Sequence, residues 1–130
     1  MARICRKGIW LVLLACSVAI SCVVPIQNIQ NEPIVTATKG VSASQIQKAI
    51  IKAGSKRGWR IRPIGSGQLQ GSLRVRAHTA TVLIRFNTKK YSITYKDSTN
   101  LKSDGARIHG NYNKWVATLS QDINFELSQL

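Results

Sequence analysis

Acidic residues are scarce in this chain: five Asp and Glu stand against nineteen Lys and Arg, for a net charge of +14. Glu32, Asp97, Asp104, Asp122 and Glu126 are its whole supply of carboxylates, too few for an acidic metal cage. Cysteine is absent beyond residue 22, where Cys5, Cys16 and Cys22 end the supply, so the remainder can hold neither a disulfide nor a Cys-based zinc site. Histidine is limited to His78 and His109. Gly65-Ser66-Gly67 joins two predicted strands, whereas a nucleophile elbow joins a strand to a helix. Gly65 and Gly67 also lack the spacing and the following helix of a dinucleotide loop. No internal repeat or low-complexity block is present, and no cofactor or metal is expected. At 130 residues the chain is too short for a two-domain enzyme of ordinary size, and 44% hydrophobic residues with 18% charged exclude a disordered tail.

What is there begins with an export signal. Arg3, Arg6 and Lys7 form a basic start, followed by fourteen uncharged residues from Gly8 to Ser21. That run is short for a membrane span and fits a secretory apolar region. Ala19-Ile20-Ser21-Cys22 closes it and resembles a bacterial lipobox, in which the Cys receives lipid. Leu13-Leu14-Ala15-Cys16 is the alternative, but only eight apolar residues separate Cys16 from Lys7. Cys22 leaves the fuller apolar region and is preferred. Two acyl chains, each buried CH₂ contributing ~0.8 kcal/mol, make a stable anchor. Val23 after the Cys, rather than Asp, favours the outer membrane, facing the periplasm, by resemblance to known lipoprotein sorting.

Residues 1–22 are therefore read as a signal with a lipobox, 23–42 as an extended linker and 43–130 as one domain. The linker carries Pro25, Pro33 and many amides without steady periodicity, although Ile34-Val35-Thr36 is a candidate edge strand. Ile46, Ala49, Ile50 and Ala53 make a helical stripe between Ser44 and Lys56, with Ser42 or Ser44 as cap and Gly58 as stop. Period-two alternation follows through Trp59–Pro63, Leu69–Ala77, Ala80–Phe86 and Tyr91–Lys96. A loop is expected over 97–110. A second helix, from Asn111 or Tyr112 to Gln129, carries Tyr112, Trp115, Val116, Leu119, Ile123 and Leu127 on one side and leaves Phe125 off the stripe. The predicted fold is α+β: a two-layer sandwich of three to four antiparallel strands, with an N-terminal and a C-terminal helix on one face.

The same alternation assigns Arg60, Arg62, Arg74, Arg76 and Arg85, with Lys96 beside them, to the face away from the helices. A guanidinium is a planar fork of donors suited to phosphate and carboxylate. The leader takes only Arg3, Arg6 and Lys7, so the rest of the chain still carries +11 of the +14. The bland counterpart is a solvated basic face. The functional reading is contact with an anionic envelope component: lipid head groups, lipopolysaccharide, cell-wall polymer or an acidic envelope protein.

Nucleic acid is the second class of partner, disfavoured because Trp59, Phe86, Tyr91 and Tyr95 fall in the apolar phase, away from the arginines. A small enzyme is the third, using His109 with Asp97 or Asp104. Structural duty for that loop is the simpler reading: Asp97, Ser98 and Asn100 fixing a turn, Asn111 or Asn113 capping the helix, His109 bonding toward Asp97.

Tyr91-Ser92-Ile93-Thr94-Tyr95-Lys96-Asp97-Ser98-Thr99-Asn100-Leu101, then Asp104-Gly105, then Ile108-His109-Gly110-Asn111-Tyr112-Asn113-Lys114-Trp115, resembles small, mostly uncharacterised bacterial lipoproteins. A Tyr-rich strand, an Asp-Ser-x-Asn-Leu turn and an Ile-His-x-x-Tyr-Asn-x-Trp start to a short terminal helix recur there. The resemblance spans roughly residues 45 to 127. It implies the fold and the lipoprotein address and brings no activity with it. Ser103 departs from it, standing where a larger residue is expected before Asp104.

Overall fold

Ser42 starts helix α1 (Ala43–Ser55) with a capping box: its hydroxyl accepts from the Gln45 N–H, and the Gln45 side chain accepts from the Ser42 N–H. Ile46, Ala49, Ile50 and Ala53 are buried along the predicted stripe. The helix ends where Gly58 turns left-handed, at φ +85°. Gly58 N–H then reaches Ser55 O at 3.3 Å and Trp59 N–H reaches Gly54 O at 3.0 Å, a closure that a side chain at Gly58 would strain. This computed structural model describes residues 23–130, so the candidate signal with Cys16 and Cys22 lies outside the described residues.

Four strands follow as an antiparallel meander: β3 (Arg60–Gly65), β4 (Gln68–Val75), β5 (His78–Phe86) and β6 (Lys90–Thr99). Leu69, Leu73, Ala80, Val82, Ile84, Phe86, Tyr91 and Ile93, all in the apolar phase, are buried in one cluster with α1 and with α2 (Asn111–Ser128). Gly71 belongs to that phase as well. A Cβ there would stand 3.2 Å from Val82 Cγ2 and 3.4 Å from the Trp59 ring, so glycine lets these side chains pack close to the strand. The two-layer α+β sandwich with two terminal helices is as the pattern predicts.

The sheet is larger than three or four strands. Residues 23–42, expected as a tether, contribute β1 (Val23–Pro25) and β2 (Ile29–Pro33). β2 pairs with the outer edge of β6, giving a five-stranded sheet ordered β2-β6-β5-β4-β3. β1 pairs with β7 (Arg107–His109), inside the stretch expected as loop, to form a separate two-stranded sheet. Neither strand alternates legibly, for a physical reason. Pro25 and Pro33 cannot donate to a ladder and are tolerated at edges, and the β2 register shifts between Ile29 and Glu32, where Asn31 is left-handed at φ +52°. The edge strand is Ile29–Pro33 rather than Ile34-Val35-Thr36, and Ile26, Ile29 and Ile34 pack against the core.

Asn113 does not cap α2. Its carboxamide oxygen accepts from Gln27 N–H at 3.0 Å and its amide donates to Pro25 O at 2.9 Å, so one side chain grips the segment after β1 from both backbone poles. Gly110 occupies the cap position without a side-chain bond. Two polar residues are buried on α2 that the stripe omits. Ser120 Oγ lies 2.7 Å from the Tyr91 hydroxyl, and Glu126 is salt-bridged to Lys52 and Lys56 of α1. Trp115 is only partly buried. Phe125 is exposed as expected, with Lys56 Nζ 5.5 Å from its ring centre, a cation–π contact.

Candidate anion-binding face

Register decides which side chains share the open face of the sheet. Arg60 stands opposite Ser72, Arg62 opposite Gln70, Arg74 opposite Thr79, and Arg85 opposite Gln68 on one side and Ser92 on the other. All four arginines are exposed. Each has a neutral residue as its direct cross-strand neighbour, and that spacing avoids the penalty of like charges placed face to face. Lys96 joins them, donating to Gln70 Oε1 at 2.6 Å across the meander. It sits at an irregularity, since the β5–β6 register shifts between Thr81 and Val82.

Arg76 is not on the face. β4 stops at Val75, which pairs with His78, and Arg76 occupies the connecting turn at φ +56°. The alternation in the sequence continues two residues beyond the end of the strand, to Ala77. The turn is tied down from the next loop: Asn100 Nδ2 donates to Ala77 O, and His78 Nδ1 bonds to Asn100 O, both at 2.8 Å.

Asp97, opposite Thr81, is on this face too, and the other carboxylates are engaged by partners off it. Asp122 pairs with Arg57, and Glu126 with Lys52 and Lys56, on the helix layer. The hydrogen bond from Lys56 holds the Glu126 carboxyl below its ordinary range, against the opposing push of desolvation, with Lys52 adding to the effect. Asp104 is also held low, chiefly by the backbone N–H groups of Ala106 and Arg107 at 2.9 and 2.7 Å. Glu32 accepts from Asn124, and Asp97 from the Ser98 N–H. Among the described residues, no carboxylate lies within ion-pair reach of Arg60, Arg62, Arg74 or Arg85.

Among the described residues, His109, Asp97 and Asp104 are not hydrogen-bonded to one another. His109 Nδ1 accepts from the Asn111 N–H at 3.2 Å, while Asp97 and Asp104 spend their carboxylates on backbone amides. No hydrogen bond joins His109 to either acid, so the expected link from His109 toward Asp97 is not made. Ser103 Oγ accepts from the Gly105 N–H at 3.2 Å, so local polar bonds replace the bulk that the resemblance anticipates there. Among the described residues, no group of three or more His, Cys, Asp or Glu could hold a metal ion, and no helix is long and apolar enough to cross a membrane.

Two depressions open on the arginine face. One, of about 350 Å³, is lined by Gly58, Arg60, Ser72, Leu73, Arg74 and Thr79. The other, of about 320 Å³, lies toward the opposite end of the strands, between Arg85, Lys90, Ser92 and Thr94 and the β2 residues Gln30 and Asn31. Sequence alternation points to the arginines; the grouping of Arg60 and Arg74 with two hydroxyls depends on pairing across three strands. Comparison with known protein families, with curated proteins and with solved structures finds no match.

Proposed function

We propose that this chain is a lipid-anchored protein of the bacterial envelope that binds or scaffolds and does not catalyse, contacting an anionic envelope component through Arg60, Arg62, Arg74 and Arg85. The observation that carries the reading is the excess of unpaired cations: four exposed guanidinium groups lie on one sheet face, Asp97 is on that face as well, and among the described residues no carboxylate is in ion-pair reach of any of the four. Lipidation at Cys22, with Cys16 as the alternative, supplies the anchor, and the resemblance to small bacterial lipoproteins supports the address. The outer membrane, facing the periplasm, is the proposed site.

Nucleic acid is disfavoured, because Trp59, Phe86 and Tyr91 are buried in the core and offer the open face no stacking platform. The enzyme alternative, His109 with Asp97 or Asp104, lacks a hydrogen-bonded pair.

The test is co-sedimentation of the full-length chain, in detergent-doped vesicles, with anionic and with zwitterionic lipid across a salt series. Binding should favour anionic lipid and weaken as salt rises. Each Arg→Ala on the face should weaken it about fivefold, matching ~1 kcal/mol per cation near an anionic surface. Unchanged binding in the quadruple variant would refute the surface. An intact mass of membrane-extracted protein without acyl chains would refute the anchor.

A further inference from the structure

The arginine face is not uniform, and its two depressions differ in what their donors already hold. In the depression beside Arg85, the Ser92 hydroxyl accepts from the Asn31 N–H at 2.9 Å and the Thr94 hydroxyl faces Leu83 O at 3.4 Å. Phe86 and Tyr91 also line it. In the depression beside Arg60, the hydroxyls of Ser72 and Thr79 have no hydrogen-bond partner among the described residues. The Arg60 guanidinium has none either, and Arg74 uses only Nε, toward Arg76 O at 3.3 Å, which leaves its two terminal nitrogens free.

Pairing fixes this grouping. Arg60 faces Ser72 across β3–β4, and Arg74 faces Thr79 across β4–β5, with Ser72 and Arg74 two residues apart on the same side of β4. Two guanidinium forks and two hydroxyls therefore border one hollow that no carboxylate lines. The hollow of about 350 Å³ is several times the ~30 Å³ share of one water in liquid, enough for a phosphate group and its residual hydration. Unsatisfied donors around a cationic hollow select an anion rich in acceptors. A phosphate monoester offers three free oxygens, enough to engage two forks. A diester offers two, and a carboxylate two in one plane.

We propose that the hollow bordered by Arg60, Ser72, Arg74 and Thr79 is a binding site for a single phosphate monoester group. It rests on the reading that the open face contacts anions and specifies where and what kind. Topology supports a source at the membrane. Ile29 pairs with Ile93 and Pro33 with Lys90, so β2 runs in from the end of the sheet that holds Val75, His78 and Thr99. That is the end at which Arg74 meets Thr79. An acyl chain on Cys22, one residue ahead of β1, would hold this end toward the bilayer.

The experiment titrates the full-length chain with inorganic phosphate by calorimetry, and then with vesicles of phosphatidic acid or phosphatidylglycerol matched for surface charge. Expected results are saturable phosphate binding and a preference for the monoester lipid. Arg60→Ala or Arg74→Ala should weaken phosphate binding about tenfold or more, as loss of charge-assisted hydrogen bonds requires. Arg62→Ala and Arg85→Ala, which remove charge from the face but no donor from the hollow, should weaken it far less. Arg60→Lys, which keeps the charge and removes the fork, should retain binding to anionic vesicles and lose the monoester preference. Phosphate binding without any lipid preference supports the site and identifies a soluble ligand. Equal losses for all four Arg→Ala variants, with no preference between the lipids, overturn the site while leaving the anion-contacting face intact. Absence of binding to every anion overturns both.

Discussion

Tyr112 sets its ring edge-on to Tyr95, with centroids 5.5 Å apart and planes at 83°, and keeps its own hydroxyl buried with no hydrogen-bond partner. The Tyr95 hydroxyl, by contrast, bonds Ser98 Oγ at 2.8 Å. The ring contact and the buried area favour the pair, while the orphan hydroxyl carries a desolvation cost of ~1–3 kcal/mol. Burial, with the neighbouring Tyr95 adding to it, also raises the ionisation of Tyr112 far above the ordinary phenol value.

Tyr112→Phe should therefore leave stability unchanged or raise it, whereas Tyr91→Phe should lower it. The Tyr91 hydroxyl is within 2.7–3.2 Å of Ser120 Oγ, Ser120 O and Asn124 Oδ1, and Asn124 passes the network on to Glu32. Removing that hydroxyl leaves buried partners unsatisfied, at ~1–3 kcal/mol. Urea denaturation of both variants checks the contrast, and equal destabilisation would contradict it.

Stability should fall toward acid through Glu126. Its folded-state pKa lies below the ordinary 4.5, so the folded chain binds fewer protons than the unfolded chain in that window. The stabilisation is present above about pH 4.5 and is lost as the pH drops through the folded-state value. Tyr91 acts at the other end: burial pushes its hydroxyl up to about 12 from 10.0, so its stabilisation declines as pH rises through that interval. Melting temperature against pH should show both limbs. Glu126→Gln should flatten the acid one, and an unaltered acid limb in that variant would count against the assignment.

Asn113→Ala should loosen the N-terminal strand without melting the sheet. It removes the two bonds to Gln27 and Pro25, worth ~0.5–1.5 kcal/mol each. Amide exchange should accelerate in β1 and β7 and stay slow in β4 and β5. A uniform acceleration would show that the side chain supports the whole domain.

Much of the fold was legible because local signals agreed. The Ile46–Ala53 stripe, a cap at Ser42 or Ser44 and the alternation from Leu69 to Tyr95 each constrain one element and together one face. What escaped was polar and non-local. β2 ends on Pro33 and is distorted at a left-handed Asn31, so its pattern becomes intelligible only once the free edge of β6 is there to receive it. Ser120 and Glu126 interrupt the helical stripe because their partners, Tyr91, Lys52 and Lys56, come from other elements. Arg76 illustrates the opposite failure, since period two continues in the sequence after the strand has already turned.

By itself, the sequence determined an α+β sandwich with a basic outer face, because burial of one apolar phase forces the alternate residues outward. Only the tertiary structure decided that Val23–Pro25 and Ile29–Pro33 join the sheets, that Arg76 leaves the face, and that Arg60 and Arg74 share a hollow with Ser72 and Thr79. Periodicity along a strand fixes which side a residue faces, whereas register between strands fixes its neighbours, and register is set by contacts between segments far apart in the chain.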